Sequence, residues 1–200
     1  MPAELLRFSD PSDTFISSAD IATQVKRLGA EFTQQYAGVD EIIALNVRQG
    51  AGAFTWDLIR AIRHPYILYK EIQTGTMSGM VGGDFKLLQD IDIDIEGRDV
   101  LLCEDMIDRR VTMSRLLAIF RERKPNSLSV AAMFEKPLAA IPGTKFNEQV
   151  SVGMRIANRF VVGYGLDYND KYRHLPHVTV CVEPKVGEPY PLVLFEPLEA

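Results

Sequence analysis

Residues 99–112 read Asp99-Val100-Leu101-Leu102-Cys103-Glu104-Asp105-Met106-Ile107-Asp108-Arg109-Arg110-Val111-Thr112. The apolar run from Val100 to Cys103, without polar alternation, describes a strand buried on both faces, the kind found in parallel sheets. Charge then takes over across 104–110, which reads as a loop. Met113, Leu116, Leu117 and Phe120 follow at the spacing of one helix face. The unit is therefore strand, charged loop, helix.

The same unit stands upstream. Glu41-Ile42-Ile43-Ala44-Leu45-Asn46-Val47 is a short apolar run stopped by Arg48-Gln49-Gly50-Ala51-Gly52, and Phe54, Leu58 and Ile62 restore helical spacing over 53–62. Before it, Ile21, Val25, Leu28 and Phe32 mark an amphipathic helix, with Ser17 or Ser18 as N-cap. Downstream, apolar runs at 127–134, 160–164 and 178–182 read as further strands. Alternating strands and helices predict right-handed crossovers and an α/β fold, a mainly parallel sheet covered by helices on both faces. Ligands of such sheets lie at the carboxyl ends of the strands, which directs attention to 48–52 and 104–112.

Three stretches depart from this plan. Residues 71–83 hold four glycines without apolar periodicity and read as a long mobile loop between two strands, a candidate lid. Residues 137–150 read as an irregular connection, and the four prolines from Pro184 to Pro197 argue against regular structure in the tail. Turn formers at 9–13 make residues 1–15 a flexible N-terminal arm, which leaves 16–200 as a single domain.

Composition narrows the function. The chain has 200 residues, 46% hydrophobic and 24% charged, so one well-formed core is expected. Its 22 Lys+Arg against 27 Asp+Glu give a net charge of -5, which disfavours a broad footprint on nucleic acid or anionic lipid but allows a local basic pocket. Cys103 and Cys181 sit in apolar runs without metal-ligand spacing and read as buried, reduced thiols. No leader-like or membrane-spanning apolar run is visible, so a cytoplasmic location without membrane or nucleic-acid partners is expected. His64, His174 and His177 read as structural. A dinucleotide-binding oxidoreductase is disfavoured because no G-x-G-x-x-G follows the first strand.

The chemistry-bearing residues crowd into 104–112. A helix starting near residue 111 offers unpaired N–H groups and a favourable dipole, so an anion such as phosphate can sit against residues 108–112. Glu104 and Asp105 can hold sugar hydroxyls or a hydrated magnesium ion, which leaves Asp108 for proton transfer. The same residues also describe a solvated acidic turn in which Asp108 or Thr112 merely caps the helix.

Residue order separates the two. Val-Leu-Leu-Cys-Glu-Asp-Met-Ile-Asp followed by a threonine resembles the phosphoribosyl-pyrophosphate motif of type I phosphoribosyltransferases. Phe160-Val161-Val162-Gly163-Tyr164-Gly165-Leu166-Asp167-Tyr168, continuing to Tyr172-Arg173-His174-Leu175-Pro176, resembles the purine-binding segment of the hypoxanthine-guanine phosphoribosyltransferases. The resemblance spans about residues 17–182. It implies the type I phosphoribosyltransferase fold, with a small hood built from the chain's two ends. The implied reaction joins a 6-oxopurine and phosphoribosyl pyrophosphate, with Mg2+, into a nucleoside 5'-monophosphate and pyrophosphate.

The resemblance also assigns roles. Glu104 and Asp105 would contact the ribose hydroxyls, directly or through magnesium-bound water, and Asp108 would be general base or acid at the purine ring nitrogen. Lys136 would donate to the 6-oxo group, Phe160 would stack on the ring, and the backbone of Val161 and Asp167 would read its other edge. Asp167 would also face a second magnesium ion, and Arg173 the pyrophosphate. A homodimer or homotetramer is the family default, with Arg48 placed to reach across the interface.

Three departures fall on the phosphate side. Arg109-Arg110 stand where the family has Thr-Gly, ahead of Val111 and Thr112; Arg48-Gln49-Gly50 match its Leu-Lys-Gly pyrophosphate turn; Thr74-Gly75 align with its Ser-Tyr loop pair. A glycine lets amides wrap a phosphate closely, whereas Arg110 either grips the phosphate through its guanidinium or fills the site. Two readings follow from the sequence. One is an active purine phosphoribosyltransferase with a remodelled phosphate site, acting on hypoxanthine, guanine or a modified purine; the other is an impaired homologue that binds a purine or nucleotide and regulates or assembles with a partner.

Overall fold

The computed structural model describes residues 15–76, 85–144 and 146–181. In chain order the elements are β1 (Phe15–Ile16), α1 (Ser18–Gln35), β2 (Ile42–Arg48), α2 (Gly52–Ala61), β3 (Ile67–Thr76), β4 (Phe85–Gln89), β5 (Asp99–Ile107), α3 (Val111–Glu122), β6 (Ser127–Glu135), β7 (Gln149–Arg155), β8 (Val161–Val162) and β9 (Val178–Val180). A sheet of order β4-β3-β2-β5-β6-β7 forms the body, parallel throughout except for antiparallel β4 at its edge. The parallel arrangement follows from the unbroken apolar runs, since strands such as Ile42-Ile43-Ala44-Leu45 and Val100-Leu101-Leu102-Cys103 have no polar face to leave in water.

Alternate residues of those runs feed two cores. Ile42, Leu101, Cys103, Ala131 and Met133 meet Ile21, Val25, Leu28 and Phe32 of α1 and Phe54 and Leu58 of α2. On the opposite face Ile43, Leu45, Val100, Leu102 and Val130 meet Met113, Leu116, Leu117 and Phe120 of α3. Ser17 caps α1 as expected: its hydroxyl accepts from the Asp20 N–H while the Asp20 carboxylate reaches back to the Ser17 N–H.

A second, three-stranded antiparallel sheet of order β1-β9-β8 makes the hood, and its Ile16, Val161, Tyr164 and Val178 extend the α1/α2 core. The runs at 160–164 and 178–182, expected in the parallel sheet, belong here instead, trimmed to two and three paired residues. Phe15, at the end of the expected flexible arm, pairs with Thr179; residues 1–14 and the proline-rich tail lie outside the described residues.

Other expectations are corrected. Residues 104–107 are not loop but the end of β5, because Glu104, Met106 and Ile107 stay in register with Ala132, Phe134 and Glu135 of β6. Residues 71–76, expected in a mobile loop, continue β3, aligned with β2 up to Arg48↔Gln73 and then with β4; 77–84 lie outside the described residues. Within 137–150, a 3-10 turn at Pro137–Ala139 leads to β7, a strand the sequence hid behind Gln149, Ser151, Gly153 and Arg155. Among the described residues no helix is long and apolar enough to cross a membrane.

Candidate functional site

Because β2, β5 and β6 are neighbours and parallel, their carboxyl ends deliver three segments to one edge of the sheet: Arg48-Gln49-Gly50, residues 104–110, and Glu135-Lys136. Gly50 is packed so tightly that a β-carbon there would overlap the Asp105 carboxylate. Gly165, held at φ +98°, brings the hood onto the same turn, and a β-carbon there would overlap the Gly50 carbonyl. The hood also contributes Asp167, whose carboxylate pairs with Arg173 at 2.9 Å, while Arg173 Nη1 donates to the Gly165 carbonyl at 2.8 Å. Gly50, Asp105, Gly165, Asp167 and Arg173 thus form one cluster where the hood meets the sheet.

The acidic pair is only partly compensated by nearby positive charge. Burial, and next the neighbouring Asp105 charge, hold the Glu104 carboxyl well above the ordinary carboxylate range. Burial pushes Asp105 up as well, against the hydrogen bond from Glu104 and the nearby positive charge of Arg173. Both carboxyls are thus biased toward the protonated form, Glu104 the more strongly. Two such carboxyls suit a ribose diol, or a cation that retains most of its water. Among the described residues no three acidic, histidine or cysteine side chains form a metal cage. A magnesium ion needs few protein oxygens and fills its shell with water and substrate phosphate, so the carboxylates of Asp105 and Asp167 are suitable donors.

On the β6 side, Lys136 is 7% exposed and its ammonium lies 3.6 Å from Asp108 Oδ2. Its N–H donates to the Ile107 carbonyl at 2.9 Å, which fastens the end of β6 to the end of β5. Arg110 stands at the N-cap of α3 with φ +67°, the left-handed conformation that glycine adopts most readily. Its guanidinium turns to Glu135 (2.6 Å) and lies over the Phe146 ring (5.3 Å), while Arg155 takes the other Glu135 oxygen at 3.2 Å. Arg109 is exposed. The first intrahelical bond runs from the Ser114 N–H to the Arg110 carbonyl, so the amides of Val111, Thr112 and Met113 have no partner within the helix and remain available to an anion.

On the hood, Phe160 is 49% exposed and meets Tyr168 edge-on at 6.0 Å, while Val161 is buried in β8. The free ring face suits stacking on a planar base. Arg48, expected at the pyrophosphate turn, makes intrachain contacts. Its guanidinium points along the sheet to Gln89 (3.2 Å) and Glu71 (3.7 Å), so the turn offers the exposed Gln49 and its backbone rather than the Arg48 charge. Thr74-Gly75 are paired strand residues of β3. Cys103 is buried beneath Glu104, and burial pushes its thiol up to about 12, so it is an inert core residue.

Two networks escaped sequence reading. Glu135, 4% exposed and closing an apolar strand, is the buried anchor for both Arg110 and Arg155. Asn46, buried in β2, accepts from Thr55 of α2 at 3.0 Å and donates to the Tyr69 hydroxyl at 3.1 Å and to Glu71 at 3.3 Å. Tyr69 itself donates to Glu71 at 2.6 Å and stacks on Trp56, ring centroids 4.5 Å apart. A polar residue inside an apolar strand run was the only available signal for either.

The chain is 36% identical over 181 residues to the hypoxanthine-guanine phosphoribosyltransferase of Bacillus subtilis, covering 90% of this chain and 97% of that protein. It is 34% identical over 168 residues to the hypoxanthine phosphoribosyltransferase of Salmonella typhimurium, covering 83% and 93%. Among solved structures, a Bacillus anthracis hypoxanthine-guanine phosphoribosyltransferase superposes with TM-score 0.77 at 31% identity, covering 88% of this chain and 100% of that one. The Trypanosoma cruzi hypoxanthine phosphoribosyltransferase in complex with the product IMP gives 0.76 at 28%, covering 84% and 92%. No family model matches the chain.

Proposed function

The chain belongs to the hypoxanthine-guanine phosphoribosyltransferase family, and we propose that the cluster at the ends of β2, β5 and β6 is where it carries out that family's reaction. It is a purine phosphoribosyltransferase of purine salvage, moving the phosphoribosyl group of phosphoribosyl pyrophosphate onto a 6-oxopurine. The bond from ribose C1' to the pyrophosphate oxygen breaks, the bond from C1' to the purine nitrogen forms, and that nitrogen loses its proton.

The 5'-phosphate lies against the unpartnered amides of Val111 and Thr112, where the α3 dipole favours negative charge. Glu104 and Asp105 hold the ribose hydroxyls. The Gly50 turn and Arg173 face the leaving pyrophosphate, with Gln49 beside them. Lys136 donates to the 6-oxo group, Phe160 stacks on the ring, and Asp167 and the Val161 backbone bound its far edge. Asp108, 3.6 Å from the Lys136 ammonium, takes the purine proton. Asp167 and Asp105 are the residues that would hold magnesium, which when bound offsets the charge of the pyrophosphate leaving group. We further read residues 16–200 as one domain that works in the cytoplasm as a homodimer or homotetramer.

The observation that carries this reading is the Asp108–Lys136 pair, standing just past the ends of the adjacent strands β5 and β6 near the Glu104–Asp105 pair. The alternative of a non-catalytic homologue is not favoured, because the Arg110 side chain is drawn to Glu135. The test is nucleotide formation by the purified protein with Mg2+, phosphoribosyl pyrophosphate and hypoxanthine, guanine, xanthine or adenine in turn. Inosine or guanosine monophosphate is expected from the first two; absence of any nucleotide product would overturn the reading.

A further inference from the structure

We propose that Arg110 is a positioning residue: through Glu135 it holds the turn before α3 in the left-handed conformation that presents the 108–112 backbone to the 5'-phosphate. This rests on the function proposed above. The turn carries a side chain where glycine would be free, and something must hold it at φ +67°. Four ties run from this turn to the segment around the end of β6. The Lys136 N–H donates to the Ile107 carbonyl (2.9 Å), Asp108 meets Lys136 (3.6 Å), the Ile141 N–H donates to the Arg109 carbonyl (3.3 Å), and Arg110 pairs with Glu135 (2.6 Å).

The last tie has the strongest setting. Glu135 is 4% exposed and held on its other oxygen by Arg155, and the Arg110 guanidinium is covered by Phe146. A charge pair so placed is bidirectional in effect: Glu135 needs the arginine to compensate its burial, and the arginine's backbone is fixed by the carboxylate. In this chain a guanidinium pulled away from the substrate replaces the adaptability of glycine with a preset loop.

The decisive variant is Arg110→Gly, which removes the tie while supplying the residue most at ease with positive φ. If the arginine is merely tolerated, the glycine enzyme matches or exceeds the wild type. If it positions the loop, KM for phosphoribosyl pyrophosphate rises about tenfold while kcat and the purine KM stay within about twofold, the pattern of lost uniform binding to one substrate. Glu135→Gln is expected to raise the same KM, and the double variant to be no worse than the single ones, since both remove one interaction. Arg155→Gln, which takes the other Glu135 oxygen but not the loop, is expected to lower the melting temperature and leave that KM unchanged.

An unchanged or lower KM in Arg110→Gly overturns the positioning role alone. So does an Arg155→Gln variant whose KM rises as much, since that assigns the effect to packing around Glu135. A wild-type protein that makes no nucleotide overturns the function and this role together.

Discussion

Glu104 and Asp105 are consecutive residues at a half-buried strand end, and folding raises both carboxyls above their ordinary values. The folded chain therefore binds protons that the unfolded chain releases. Their favourable contribution is complete below the ordinary carboxylate range and is lost as pH rises through the raised values. Glu104→Gln is accordingly expected to raise the melting temperature of the ligand-free protein by about 2–4 °C at pH 8, with the difference closing toward pH 4; identical melting at pH 8 would contradict it. Asp108→Asn keeps the shape but cannot accept the purine proton, and kcat should fall about 10²–10⁴-fold with both substrates still bound. The acidic trio was legible because side-chain type and order carry it. The Arg110–Glu135 pair was not, since its partners stand 25 residues apart and Glu135 hides at the end of an apolar strand.

Elements were legible where a periodicity stood free of exceptions. α1 was read from four apolar positions and a serine, and the Ser17–Asp20 capping box bears that out. Ser17→Ala should cost about 1 kcal/mol, read as a lower midpoint in urea with unchanged slope. Gly29 is the point where α1 touches α2, and a β-carbon there would overlap Ala61. Gly29→Ala, ordinarily favourable in a helix, is expected to destabilise by about 1–3 kcal/mol through overpacking, and a stabilised variant in the same urea titration would show that the helices can separate freely. β5 was cut short at Cys103 because Glu104, Asp105 and Asp108 read as loop, although Met106 and Ile107 still pair with β6. β7 was missed because, as the outermost parallel strand, it has polar residues at several of its positions.

At the scale of the molecule, α/β layering and the gathering of Arg48-Gln49-Gly50 and residues 104–110 at the carboxyl ends of the strands followed from sequence. What did not follow was the division of strands between body and hood, because an apolar pentapeptide looks the same in either sheet. That division matters, since it is the hood's Gly165, resting on the Gly50 turn of the body, that closes the site. The other end of that turn leads to the chain's single tryptophan. Trp56 stacks on Tyr69, the Tyr69 hydroxyl donates to Glu71, and Glu71 faces Arg48 at the head of the turn. The Tyr69 phenol, pushed up to about 12 by burial and by Glu71, stays protonated throughout the working range and keeps that relay intact. The protein thus carries its own fluorophore wired to the turn proposed to face pyrophosphate. Adding magnesium pyrophosphate should change the tryptophan emission with the saturation curve seen by calorimetry, and Glu71→Gln should blunt the optical signal more than the heat, so that pyrophosphate binding can be watched in the unlabelled enzyme.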